Sequence, residues 1–91
     1  MNIQNIEYFL QLAKFEHVSV TADFLNISQP SLSKHIAALE RELGLKLFDR
    51  TGNRISLNKN GEQFAQYARQ AVDLLNIGIN CAKRSVYDTK G

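Results

Sequence analysis

The chain has little of what builds covalent frameworks, membrane spans or catalytic centres. Its single cysteine, Cys81, cannot close an internal disulfide, and a reducing cytosol is the simplest setting for it. No apolar run approaches the roughly 20 residues that span a bilayer, and no signal peptide opens the chain, so no membrane partner is expected. A lone proline and a hydrophobic fraction of 44% argue against a disordered tail. There is no internal repeat and no low-complexity segment. The two histidines, His17 and His35, fall in different elements and belong to no nucleophile or metal pattern. A Gly-rich phosphate loop and a paired-carboxylate site are also missing. No catalytic residue, metal ligand or cofactor is therefore expected in this chain. Cys81 lies within the apolar side of the last helix, which favours a buried structural thiol over a nucleophile.

What the chain does have is 91 residues, enough for one compact domain, and an uneven charge. Across residues 28–61 the six cations Lys34, Arg41, Lys46, Arg50, Arg54 and Lys59 face three anions, Glu40, Glu42 and Asp49. The remainder carries five basic and six acidic residues. A basic middle in a near-neutral chain suits a polyanion-binding surface. Ordinary solvated lysines and arginines are the alternative that charge alone leaves open.

Helical periodicity organises the first half. Ile3, Ile6, Leu10 and Ala13, with Phe9 alongside, form the apolar stripe of a helix of about 14 residues. Ser19 can cap a second, short helix whose Ala22 and Leu25 face the core. Asn26 and Ile27 make a tight connection. In the third helix Ser28 is the N-cap, Pro30 occupies the first turn, and Gly44 supplies the stop. Leu32, Ile36, Leu39 and Leu43 form one continuous core face. Two short helices joined in this way are a helix-turn-helix candidate.

Alternation then replaces helical spacing. Leu45 and Leu47 precede a Thr-Gly-Asn tip, with Ile55 and Leu57 after it, which predicts a small β-hairpin. Asn58 caps a final long helix running from about 59 to about 86. Its Phe64, Ala68, Ala71, Leu75, Gly78 and Ala82 follow coiled-coil spacing and predict a dimerisation seam. Tyr67, Leu74 and Cys81 flank that seam on one side, Val72 and Ile79 on the other. The apolar arc covers about half the helix, wide enough for one part to pack on the domain and another on a second copy. The expected division is a mainly α winged helix-turn-helix over 1–58, a linker and dimerisation helix over 59–87, and a disordered tail over 88–91.

The third helix is where the chemistry concentrates. Pro30, Ser33, Lys34, Ala37 and Arg41 lie opposite its apolar stripe. A major groove about 12 Å wide admits a helix whose leading face is slim and polar, and Gln29, Pro30, Ser31 and Ser33 meet that demand. Gln29 can pair with an adenine edge, Ser33 can bond several base edges, and Pro30 and Ser31 can rest on a thymine methyl. Ser28, the first free N–H groups of the helix and Lys34 are placed to hold phosphates. The alternative is a capped helix whose serines and glutamine merely face water. Arg50 and Arg54 flank the hairpin tip and can approach the DNA backbone or a minor groove. For Arg50, an ion pair with Asp49 or a helix carboxylate is the competing reading.

The stretches "SQPSLSKHIAALERELGLKLFDR" and "LNKNG" closely resemble the N-terminal winged helix-turn-helix of LysR-type transcriptional regulators. The likeness runs from Met1 into the long helix. It implies a cytoplasmic bacterial homodimer, joined through the linker helix and bound to imperfect inverted repeats in double-stranded DNA. By position, base reading falls on Gln29, Pro30, Ser31 and Ser33, backbone contacts on Ser28, Lys34 and Arg50, and the wing contact on Arg54. Val20, Thr21, Phe24, Asn58 and Asn60 depart from the usual pattern, which touches packing and surface more than the reading face. The resemblance also implies a C-terminal effector domain outside this chain. The small-molecule effector, and RNA polymerase as a partner of the full-length protein, would belong with that larger form. The sequence thus reads as an excised DNA-binding fragment. A reading from another class makes it a protein-interaction module working mainly through the long helix.

Overall fold

The computed structural model describes residues 1–52 and 54–88. Six elements follow in chain order: α1 (Ile3–Phe15), α2 (Val18–Leu25), α3 (Gln29–Leu43), β1 (Phe48–Thr51), β2 (Arg54–Leu57) and α4 (Lys59–Asp88). The fold is the expected mainly helical winged helix-turn-helix with a long terminal helix. Asp88 is still helical, and residues 89–91 of the expected tail lie outside the described residues.

Side chains and left-handed residues punctuate the helices. Asn2 Oδ1 accepts from Asn5 N–H at 2.7 Å to start α1, and Glu16 ends it at φ 51°. At α2 the cap is His17, not Ser19. His17 has the extended backbone a cap requires (φ −154°), and its Nδ1 accepts from Val20 N–H at 3.2 Å. Ser19 already lies inside the helix. Asn26, at φ 59°, closes α2, and Ile27 N–H bonds Ala22 carbonyl at 3.0 Å, so three residues turn the chain into α3. Gly44, at φ 73°, ends α3 as expected.

The core lies where α1, α2, α3, the hairpin and the start of α4 meet. Leu32, Ile36 and Leu39 of α3 are buried against Phe9 and Leu12 of α1 and Ala22 of α2. Phe9 sits between two rings, edge-on to Phe48 at 5.6 Å and tilted against Phe64 at 5.4 Å. Thr21 is wholly buried and donates its hydroxyl to His17 carbonyl at 2.7 Å.

The hairpin pairs Phe48 with Leu57, Asp49 with Ser56, Arg50 with Ile55 and Thr51 with Arg54. Leu45 and Leu47 stand ahead of β1 instead of inside it. Leu45 is exposed, and the N–H of buried Leu47 goes to Glu40 Oε2 at 2.7 Å instead of to a strand. Asn58 N–H returns to Leu47 carbonyl at 3.0 Å, while Asn58 Oδ1 caps α4 by accepting from Gly61 N–H at 2.8 Å. Gly61 then passes so near that a Cβ there would lie 2.1 Å from Leu47 carbonyl oxygen and 2.6 Å from Leu57 Cδ2. Hairpin stem and long helix are therefore in backbone contact.

Candidate nucleic-acid interface

The N-terminal turn of α3 is built by its cap. Ser28 Oγ accepts from Ser31 N–H at 3.2 Å, and Ser28 carbonyl accepts from Leu32 N–H at 3.0 Å. Pro30 has no N–H to satisfy. Of the first-turn amides this leaves the N–H of Gln29 free, a narrower anion site than the expected set of several free donors. Gln29, Pro30 and Lys34 are exposed, and Ser31 and Ser33 half-exposed. Pro30, Ser31, Ser33 and Lys34 line one shallow groove, on the side of α3 away from Leu32, Ile36 and Leu39. The slim polar face inferred from the sequence is thus presented to solvent.

A second cleft, about 380 Å³, joins this end of α3 to the wing. It is lined by His17, Val18 and Ser19 of the α2 terminus, Gln29 of α3, and Arg50, Gly52, Arg54 and Ile55 of the hairpin. Among the described residues no carboxylate lines either cleft. Among the described residues the ion pairs are Met1 amino terminus with Glu42, and Lys46 with Glu40 at 3.8 Å. The competing ion pair for Arg50 is therefore not formed, and both wing arginines are exposed without an acidic partner. Two guanidinium groups and a carboxamide around an acid-free cleft favour a polyanion.

Two carboxylates that the sequence reading passed over hold the wing in place. Glu40, on α3, takes Leu47 N–H before β1, and Glu16, at the end of α1, takes Leu57 N–H at 2.8 Å after β2. Asn58 and Asn60 donate to Lys46 carbonyl at 3.0 and 3.3 Å. The height of Arg50 and Arg54 over the end of α3 is thus set by bonds at the hairpin stem. His17, Val18 and Ser19 were also missed as cleft residues. A short polar stretch before a helix gives no sign of which cleft it will border.

The expected dimerisation seam divides. Ala68 is 5% exposed and Phe64 is half-buried against Phe9, so both face their own domain; Ala65, absent from the predicted stripe, is buried with them. The first turns of α4 lie on α1 and the hairpin, and this occupies the helical face that the seam spacing assigned to a second copy. Farther along, Ala71, Leu75, Gly78 and Ala82 are exposed, as are Tyr67 (67%) and Leu74 (68%). Cys81 is also exposed in this chain, against the expectation of a buried thiol, because no part of the domain reaches that far along α4. Among the described residues no helix is long and apolar enough to cross a membrane, and no group of three metal-ligating side chains converges.

Residues 3–62 match the family described as "Bacterial regulatory helix-turn-helix protein, lysR family". The chain is 50% identical over 64 residues to the uncharacterized HTH-type transcriptional regulator YybE of Bacillus subtilis, covering 70% of this chain and 22% of that protein. Its identity to the HTH-type transcriptional regulator AlsR of the same organism is 34% over 91 residues, which is 100% of this chain and 30% of the relative. The chain thus spans less than a third of the length of these two curated relatives. In three dimensions it matches the BenM DNA-binding domain in complex with benA site 1 DNA at a TM-score of 0.87 and 31% identity, covering 92% of this chain and 98% of that one. The CbnR DNA-binding domain in complex with DNA gives 0.89 and 27%, over 94% and 99%. Helix order, wing, long helix and sequence agree: the chain belongs to the LysR family of bacterial regulatory helix-turn-helix proteins.

Proposed function

We propose that this chain is the DNA-binding part of a transcriptional regulator, reading double-stranded DNA as a homodimer on an imperfect inverted repeat. One observation carries the reading. The polar face of α3 lines one groove, and Gln29 with the wing arginines Arg50 and Arg54 lines a second cleft; among the described residues no carboxylate lines either. In this arrangement Gln29, Pro30, Ser31 and Ser33 enter a major groove and read base edges. Ser28 and Lys34 hold phosphates, Arg50 lies along the backbone, and Arg54 approaches the minor groove. The two structural relatives above carry DNA, which supports the same placement here. The exposed part of α4, with Ala71, Leu75, Gly78 and Ala82, is assigned to the second copy.

On this reading the chain is not an enzyme, works in the cytoplasm, and holds no cofactor. An effector ligand and contacts with RNA polymerase belong to a longer regulator. The test is selection of bound duplexes from random DNA, followed by titration at several salt concentrations. Specific binding with a log–log slope of several units is expected, since each neutralised phosphate contributes about −0.9. No binding at low salt would sink the proposal. The exposed Tyr67, Leu74 and Ile77 also favour a second reading, a protein-interaction module acting through α4. Self-association in sedimentation without any DNA binding would point to it.

A further inference from the structure

We propose that His17 is an additional DNA contact, its Nε2–H donating to a backbone phosphate seated in the cleft between α2 and the wing. This rests on the DNA-binding reading and adds to it a residue that the reading does not use. The first observation is chemical. Nδ1 of His17 accepts from the backbone N–H of Val20 at 3.2 Å, so that nitrogen carries a lone pair and the proton of the neutral ring resides on Nε2. Nε2 lies on the far side of the ring from the bond it makes to the helix. It has no partner among the described residues, and His17 is exposed.

The second observation is the surroundings. His17 lines the same cleft as Gln29, Arg50 and Arg54, with no carboxylate among the described lining residues. A phosphate diester brought there meets the Arg50 guanidinium, already assigned to the backbone, and the imidazole N–H, donors matched to anionic oxygens. The third is rigidity. His17 carbonyl accepts from both Thr21 N–H at 3.0 Å and Thr21 hydroxyl at 2.7 Å, so backbone and ring are both fixed before any ligand arrives. In helix-turn-helix proteins the helix before the reader crosses the DNA backbone, so a donor at its start contacts phosphate and not bases.

The test compares the 91-residue chain with His17→Ser and His17→Ala on two duplexes, one selected by the unmodified chain and one of unrelated sequence. Serine keeps a capping oxygen but lacks the reach to phosphate. The expected result for His17→Ser is about tenfold weaker binding to both duplexes, with melting temperature and salt slope unchanged, since a neutral donor displaces no counterion. His17→Ala should lose the same affinity and melt earlier as well. His17→Thr repeats the experiment if the serine variant folds poorly. Equal binding by His17→Ser and the unmodified chain would overturn the histidine's role while leaving the DNA reading intact. A loss confined to the selected duplex would also overturn it, by making His17 a base reader. If the unmodified chain bound neither duplex, both readings would fall together.

Discussion

Asn5 Oδ1 lies 2.6 Å from His35 Nδ1, a part-buried polar bond between α1 and the middle of α3. The imidazole also stands edge-on to Tyr8, with centroids 5.0 Å apart. Apolar contacts between these two helices resist separation but tolerate sliding, whereas a bond of this kind fixes their register. Asn5→Ala would leave the ring nitrogen facing a 5%-exposed site with no partner. The expected cost is about 1–3 kcal/mol, read from urea denaturation. A change below about 0.5 kcal/mol would mean that the bond adds nothing to the apolar contacts.

Gly61→Ala sets two opposed effects against each other. Helix propensity favours alanine by about 1 kcal/mol. The new Cβ, however, would sit 2.1 Å from the carbonyl oxygen of Leu47, a backbone atom that cannot swing aside. We expect a net destabilisation of about 3 kcal/mol, measured by thermal or denaturant unfolding. A stabilised variant would show that the hairpin stem and α4 can separate at little cost.

Gln29 and Arg54 should fail in different ways. Gln29→Ala is expected to weaken binding to a selected duplex by about 1–3 kcal/mol and to relax base preference at one position. Arg54→Ala should weaken all duplexes alike and reduce the salt slope by about one. Fluorescence anisotropy on selected and scrambled duplexes distinguishes the two. A uniform loss for Gln29→Ala would mean that it does not read a base.

Leu75 and Ala68 separate association from folding. Leu75 is 46% exposed on the free part of α4, so Leu75→Asp should fold normally and dimerise more weakly. Ala68 is buried within its own domain, so Ala68→Asp should destabilise the fold itself. Sedimentation and circular dichroism on both variants check this. A Leu75→Asp dimer of unchanged strength would place the interface elsewhere.

Short-range signals were the ones legible in the sequence. The Ser28 cap, the Leu32–Ile36–Leu39 stripe and the Gly44 stop depend on residues within a few positions of one another, and all three are where the pattern places them. What escaped depended on distant partners. Alternation suggested that Leu45 and Leu47 were strand residues, but Glu40 captures Leu47 N–H from another element. Heptad spacing marked an apolar face on α4 without saying which neighbour covers it. Phe64 and Ala68 went to the domain's own core, and Cys81 was left outside it. His17 outcompeted Ser19 as a cap because of its extended backbone, which residue preference alone does not encode.

The close approach at Gly61 makes the long helix a lever rather than a tether. With Ala65 and Ala68 buried in the domain and no slack between hairpin and helix, α4 and the reading head turn together. Its 30 residues extend about 45 Å. A tilt of about 10° at one end therefore displaces the other by about 8 Å, a large fraction of the width of a major groove. In a dimer crossed through α4, a small change in crossing angle becomes a large change in the distance between the two heads. On the proposed dimeric reading of DNA, fit to a given half-site spacing would be set far from any base.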